Sequence, residues 1–122
     1  MGSGVVSSIA VDEIYLYITT LSGTLVKLEY DPIFISDPNL QWVFTADTEI
    51  TSSPIIGSNH EIYFGTNNGT MYSIDSETGN MIWSYDTGAP VNSTGALAEY
   101  GTDMDRLYIG NDDGDVYALS LS

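Results

Sequence analysis

Apolar residues along this chain fall in short runs dominated by isoleucine, valine, tyrosine, leucine and phenylalanine. Clusters of glycine, asparagine, aspartate and serine separate the runs. No segment keeps a 3.6-residue apolar period over three turns, so helices are not expected; short runs of this composition between turn residues read as β-strands. The pattern predicts four strands at 8–11, 15–20, 24–30 and 40–45, four more at 53–56, 62–66, 70–74 and 81–85, and three at 95–99, 107–111 and 115–119. Between the second and third strand of each group stand Leu21-Ser22-Gly23, Asn67-Asn68-Gly69 and Asp112-Asp113-Gly114. A tight hairpin needs one residue at positive φ, which Gly23, Gly69 and Gly114 supply without strain. The asparagines and aspartates before them hydrogen-bond to nearby backbone.

The groups are copies of one another. Residues 61–75 (EIYFGTNNGTMYSID) match residues 106–120 (RLYIGNDDGDVYALS) at an offset of 45, and residues 16–28 (LYITTLSGTLVKL) match 62–74 at an offset of 46. Trp42 and Trp83 lie 41 apart. Four short strands recurring with a period in the forties are the sequence signature of β-propeller blades. The fold class expected is therefore all-β. It comprises four-stranded antiparallel blades, two complete and a third with three strands, in an incomplete ring. The blades are assigned to 7–50, 51–91 and 92–122, after a leader at 1–6 that resembles an added tag more than a native start.

In the second unit, residues 73–83 (SIDSETGNMIW) fit the pattern Ala-x-Asp-x-x-Thr-Gly-x-x-x-Trp with Ser73 in the alanine place. This resembles the blade motif of the quinoprotein-like propellers, with their pyrroloquinoline-quinone-type repeats. Asp75, Thr78, Gly79 and Trp83 occupy motif positions. The third unit begins the motif with Ala118-Leu119-Ser120. The first departs from it: Lys27 stands for alanine, Glu29 for aspartate, and residues 31–37 form a longer loop, while Trp42 is kept. The resemblance implies that the tryptophans pack between neighbouring blades and that the Asp-x-x-Thr-Gly turn hydrogen-bonds the chain between third and fourth strands. It also brings in the quinone-dependent dehydrogenases, which carry their quinone with calcium, a catalytic aspartate and cationic side chains. Non-enzymatic relatives are scaffolds, among them envelope-assembly lipoproteins, stress sensors and surface proteins.

Charge narrows the partners. Seventeen acidic residues face only two basic ones, Lys27 and Arg106, for a net charge of −15 over 122 residues. Such a polyanion repels nucleic acid and anionic lipid, so neither is expected as a partner. No apolar run approaches the roughly 18 residues of a membrane-spanning helix. Cysteine is absent, which excludes disulfides, thiolate chemistry and cysteine zinc sites. With cations so scarce, an anionic quinone lacks compensating charge, and no cofactor is expected.

Several short stretches suggest chemistry and are weighed against plainer roles. Asp86-Thr87-Gly88 spells the triplet of aspartic proteases, which need two such aspartates sharing a proton. Residues 83–91 align without a gap on 42–50, however, which places Asp86 in the link between blades. Asp112, Asp113 and Asp115 are candidate calcium ligands, since calcium takes six to eight oxygens. Their spacing lacks the EF-hand pattern, and the matching turn at Asn67-Asn68 has no carboxylate. His60, the only histidine, falls in an inter-strand loop with no nucleophile motif. Asn68-Gly69-Thr70 and Asn92-Ser93-Thr94 are glycosylation sequons. No catalytic residue is assigned.

Three blades leave two open faces and an unfinished sheet, and such faces and edges recruit partners. The expectation is a non-catalytic binding or assembly module, outside the cytoplasm, that packs against further blades or copies of itself. The alternatives are a fragment of a quinone-dependent dehydrogenase and a self-assembling structural subunit.

Overall fold

The computed structural model describes residues 6–29, 39–58, 60–92, 95–99 and 105–120, the Ser7 side chain excepted. Within them lie eleven strands and no helix, hence no helix long and apolar enough to cross a membrane. The order is β1 (Val6–Asp12), β2 (Tyr15–Thr20), β3 (Thr24–Glu29), β4 (Asn39–Thr45), β5 (Ile55–Ile56), β6 (Glu61–Gly65), β7 (Thr70–Asp75), β8 (Met81–Asp86), β9 (Ala96–Ala98), β10 (Arg106–Gly110) and β11 (Val116–Ser120). They form three antiparallel meanders, β1-β2-β3-β4, β5-β6-β7-β8 and β9-β10-β11, which are not closed into a ring. The all-β propeller architecture is the one the repeats predict.

The strands differ from the sequence reading only at their ends. The first strand of the second sheet shrinks to Ile55–Ile56, preceded by Pro54, which has no N–H to give to a ladder. The expected leader at 1–6 falls outside the described residues except for Val6, which opens β1. The long loop at 31–37 and Tyr30 also lie outside them.

Each sheet has two unlike faces, and the cores lie between sheets. Tyr17 and Leu25 of the first sheet pack on Ile62, Phe64, Tyr72 and Ile74 of the second, with Trp42 and Phe44 at the margin. Tyr63 and Met71 of the second sheet pack on Leu107 and Ile109 of the third, with Trp83, Tyr117 and Leu119 at the margin. At the repeat offsets these are the same positions used twice. Tyr17 and Trp42 pack with tilted rings 6.3 Å apart between centroids, and their counterparts Tyr63 and Trp83 likewise at 5.9 Å. The middle strand β7 is consequently buried on both sides from Met71 to Ile74. Burying about 40 Å² of apolar surface contributes roughly 1 kcal/mol, so these two interfaces are the main source of stability.

Gly23, Gly69 and Gly114 all adopt positive φ, at 93°, 90° and 86°. Their surroundings differ. A Cβ on Gly69 would lie 2.7 Å from the Ala89 carbonyl oxygen and one on Gly23 2.6 Å from that of Thr48, whereas one on Gly114 would meet nothing within 4 Å. Gly114→Ala is therefore expected to cost about 1–2 kcal/mol for the backbone alone. Gly69→Ala should cost about 1–3 kcal/mol more, because a backbone atom blocks the methyl. Urea unfolding of the two variants checks this; equal losses would contradict it.

Candidate interaction surfaces

Successive sheets are joined by a repeated set of polar contacts around the apolar core. The Asp75–Gly79 turn is held by its own side chains. Asp75 Oδ1 accepts the Glu77 and Thr78 N–H groups at 2.8 and 3.4 Å, and Thr78 Oγ1 accepts that of Asn80 at 3.2 Å. Gly79, at φ 78°, lies flat against the Trp42 indole, where a Cβ would come within 2.6 Å of the ring. The turn thereby aims the Ser76 carbonyl at the first sheet. It accepts both the Trp42 indole N–H at 3.1 Å and the Lys27 ammonium at 2.7 Å. The motif's tryptophan and the next unit's turn form one joint.

Asp86, Thr87 and Gly88 form the exit from the second sheet. Asp86 Oδ1 accepts the Gly88 N–H at 2.9 Å, so its carboxylate closes a local turn. Thr87 is buried. Its N–H donates to the Gly69 carbonyl at 2.8 Å, as Ala46 N–H does to Gly23. Its carbonyl accepts from Asn111 Nδ2 at 2.9 Å and from the Tyr117 hydroxyl at 2.8 Å, both in the third sheet. Sequence reasoning gave Thr87 no such part; its repetition of Ala46 was the available signal.

Carboxylate and amide meet across each joint with the roles exchanged. Asp47 accepts from Asn68 at 2.9 Å and Glu49 from Asn67 at 3.1 Å, whereas Asp112 accepts from Asn92 at 2.6 Å. Burial opposes the charged form of Asp47, but the hydrogen bonds from Asn68, Tyr72, Thr70 and its own backbone outweigh it and hold the carboxyl below its ordinary range. Asp112 is thus engaged by an amide, and Asp113 and Asp115 are exposed beside it. Among the described residues no group of three His, Cys, Asp or Glu is placed to hold a metal ion. His60 is exposed, at φ 65°, in the turn between β5 and β6.

Lys27, one of the two basic residues and a departure from the blade motif, also lies at this joint. It is buried between the first two sheets, with its ammonium 4.0 Å from the centre of the Tyr15 ring. It borders a cleft of about 400 Å³ that Tyr15, Tyr17, Gln41, His60 and Glu77 also line. Burial pushes its pKa down, partly offset by Glu77, Asp12, Asp75 and Glu29.

Among the described residues no sheet packs on the outer face of the first or the third sheet. On the first sheet the register aligns two apolar rows, Ile9-Ile18-Val26-Val43 and Val11-Leu16-Leu28-Leu40. Ile18 and Val26 in the middle are buried, while Ile9, Val11, Leu40 and Val43 are 49–63% exposed. On the third sheet Tyr108, Val116 and Ala118 point outward, with Val116 77% exposed.

The model of a protein family described as outer membrane protein assembly factor BamB matches residues 1–122. The chain belongs to this BamB-like family of pyrroloquinoline-quinone-type repeat propellers. Similar solved structures agree on the fold. BamB from Moraxella catarrhalis superposes with a TM-score of 0.74 at 22% identity, over 96% of this chain and 34% of that one. Sqt1 from Saccharomyces cerevisiae gives 0.78 at 15%, over 96% and 31%. A europium-containing methanol dehydrogenase gives 0.61 at 12%, over 83% and 23%. This BamB-like chain therefore spans about a third or less of the length of these relatives. No curated protein matches its sequence.

A lysine held below its ordinary value favours the neutral form in the fold. Its burial therefore costs most at low pH, and the cost fades as pH rises toward about 10.4, the ordinary lysine value. The stability of the protein relative to its Lys27→Met variant should accordingly rise between neutral pH and about pH 10. Chemical denaturation of both across that range measures it, and a constant difference would contradict the burial of a charged ammonium.

Proposed function

We propose that this BamB-like chain is a non-catalytic binding and assembly module whose open faces pack against further blades or another copy of itself. Its units 7–50, 51–91 and 92–122 act as the blades. One observation carries the reading. Leu16, Ile18, Val26 and Leu28, in the middle of the outer face of the first sheet, are the repeat counterparts of Ile62, Phe64, Tyr72 and Ile74, which receive a preceding sheet. Tyr108 and Val116 on the open face of the third are the counterparts of Tyr63 and Met71, which engage a following one. The two open faces are thus unmatched halves of an interface that the chain builds twice within itself, which favours head-to-tail association.

The family description, an outer membrane protein assembly factor, supports a role outside the cytoplasm. The second reading, a fragment of a quinone-dependent dehydrogenase, is favoured by the fold likeness to the methanol dehydrogenase alone. Dye reduction with alcohols after adding quinone and calcium would establish it.

Self-repulsion at a net charge of −15 opposes assembly at low salt, so association should strengthen as ionic strength rises. Sedimentation at micromolar concentration should show species heavier than the 13.2 kDa chain. Val11→Glu or Val116→Glu, which leave the internal interfaces intact, should return them to monomer. A 13.2 kDa monomer at every salt concentration would sink the self-association arm of the proposal.

A further inference from the structure

Lys27 carries the only side-chain amine of the chain. Blade packing does not call for an amine there. The repeat counterparts of Lys27 are Ser73 and Ala118, and the Trp42 indole already engages the Ser76 carbonyl. Lys27 is nevertheless buried and lines the cleft of about 400 Å³ between the first and second sheets. That volume falls within the range of small-molecule sites, about 300–1,000 Å³. Both walls of the cleft belong to sheets that this chain completes.

The contacts of this nitrogen set its orientation. Lys27 Nζ donates to the Ser76 carbonyl oxygen at 2.7 Å and stands 4.0 Å from the centre of the Tyr15 ring and 5.7 Å from that of Tyr17. A carbonyl oxygen and an aromatic face are both electron-rich, so they attract N–H groups and repel a lone pair. A neutral amine has two N–H groups and one lone pair. With the N–H groups turned to Ser76 and Tyr15, the lone pair is left for a ligand in the cleft. Burial favours this neutral form, against the opposing pull of Glu77, Asp12, Asp75 and Glu29. Glu13 and His60 are the other charged or titratable side chains lining the cleft besides the tyrosines. Desolvated lysines of this kind are the ones that form imines with carbonyl compounds. The lining also selects the carbonyl. Asp12, Glu13 and Glu77 disfavour an anionic aldehyde. The same carboxylates and the Gln41 amide suit hydroxyl groups, and the Tyr15 and Tyr17 rings suit C–H groups.

We propose that Lys27 is a covalent attachment site for a small uncharged hydroxyaldehyde, held as an imine in the cleft between the first two sheets. The Nζ lone pair attacks the carbonyl carbon, and a proton passes from the nitrogen to the carbonyl oxygen to give a carbinolamine. Its hydroxyl then leaves with the second nitrogen proton as water, and the C=N bond remains. No oxidant or reductant is consumed. When protonated, the imine keeps one N–H, which the Ser76 carbonyl is placed to accept. Association through the open faces is not required for this chemistry, so the two proposals stand or fall separately.

The test treats the whole chain with uncharged glyceraldehyde or anionic glyoxylate, with cyanoborohydride present to trap imines. Peptide mapping by mass spectrometry reads the adduct on Lys27, and Nα-acetyllysine amide serves as the reference amine. Near neutral pH, glyceraldehyde should label Lys27 about threefold faster than the reference or more, as a larger neutral fraction requires. Glyoxylate, measured against the same reference, should lag glyceraldehyde by about threefold. Concentrated urea should erase both differences. Glu77→Gln should speed the labelling, because that carboxylate favours the ammonium, and should narrow the gap between the two aldehydes. Labelling of the folded chain at or below the reference rate, preferences that survive in urea, or slower labelling of the Glu77→Gln variant would overturn the proposal.

Discussion

A four-stranded sheet with two apolar faces cannot bury both by itself. Everything else in this structure follows from that constraint. The first sheet gives one face to the second, the second gives one to each neighbour, and the two buried clusters lie between sheets. Stability in such arrays is a sum of units and nearest-neighbour interfaces. The joint between Trp42 and the Asp75–Gly79 turn shows how alignment is kept. The apolar faces tolerate sliding, but an indole N–H and an ammonium sharing the Ser76 carbonyl do so much less.

The acidity of the chain belongs to the same account. Carboxylates at the joints are matched with amides, not with cations: Asp47 with Asn68, Glu49 with Asn67, and Asp112 with Asn92. The protein thus fixes its inter-sheet contacts with few basic residues and leaves a negative surface. The one cation between the first two sheets, Lys27, sits over an aromatic ring and on a carbonyl among acidic neighbours.

The strands and their grouping were readable because each unit repeats the same turn residues at fixed offsets. Gly23, Gly69 and Gly114 share one backbone need and stand out in any alignment of the chain with itself. Strand ends were less readable, since they depend on local breaks such as Pro54. The joints were hardly readable at all. The Ser76 acceptor is a backbone carbonyl and leaves no mark in side-chain identity, and Thr87 looks like part of a protease triplet until its contacts with Gly69, Asn111 and Tyr117 are seen. Which face of each sheet meets which neighbour is also a tertiary matter. Alternation shows two apolar faces but not their order.

The claim on which the account depends is that the first and second sheets are energetically coupled through their facing residues. Phe44 and Phe64 meet edge to face across that interface, 6.1 Å apart. A double-mutant cycle with Phe44→Leu and Phe64→Leu, followed by urea unfolding, measures their coupling directly. The account predicts a coupling of about 0.5–1.5 kcal/mol, as expected for an aromatic pair in contact. Strictly additive losses would contradict it, for the two sheets would then be neighbours in sequence without a shared core.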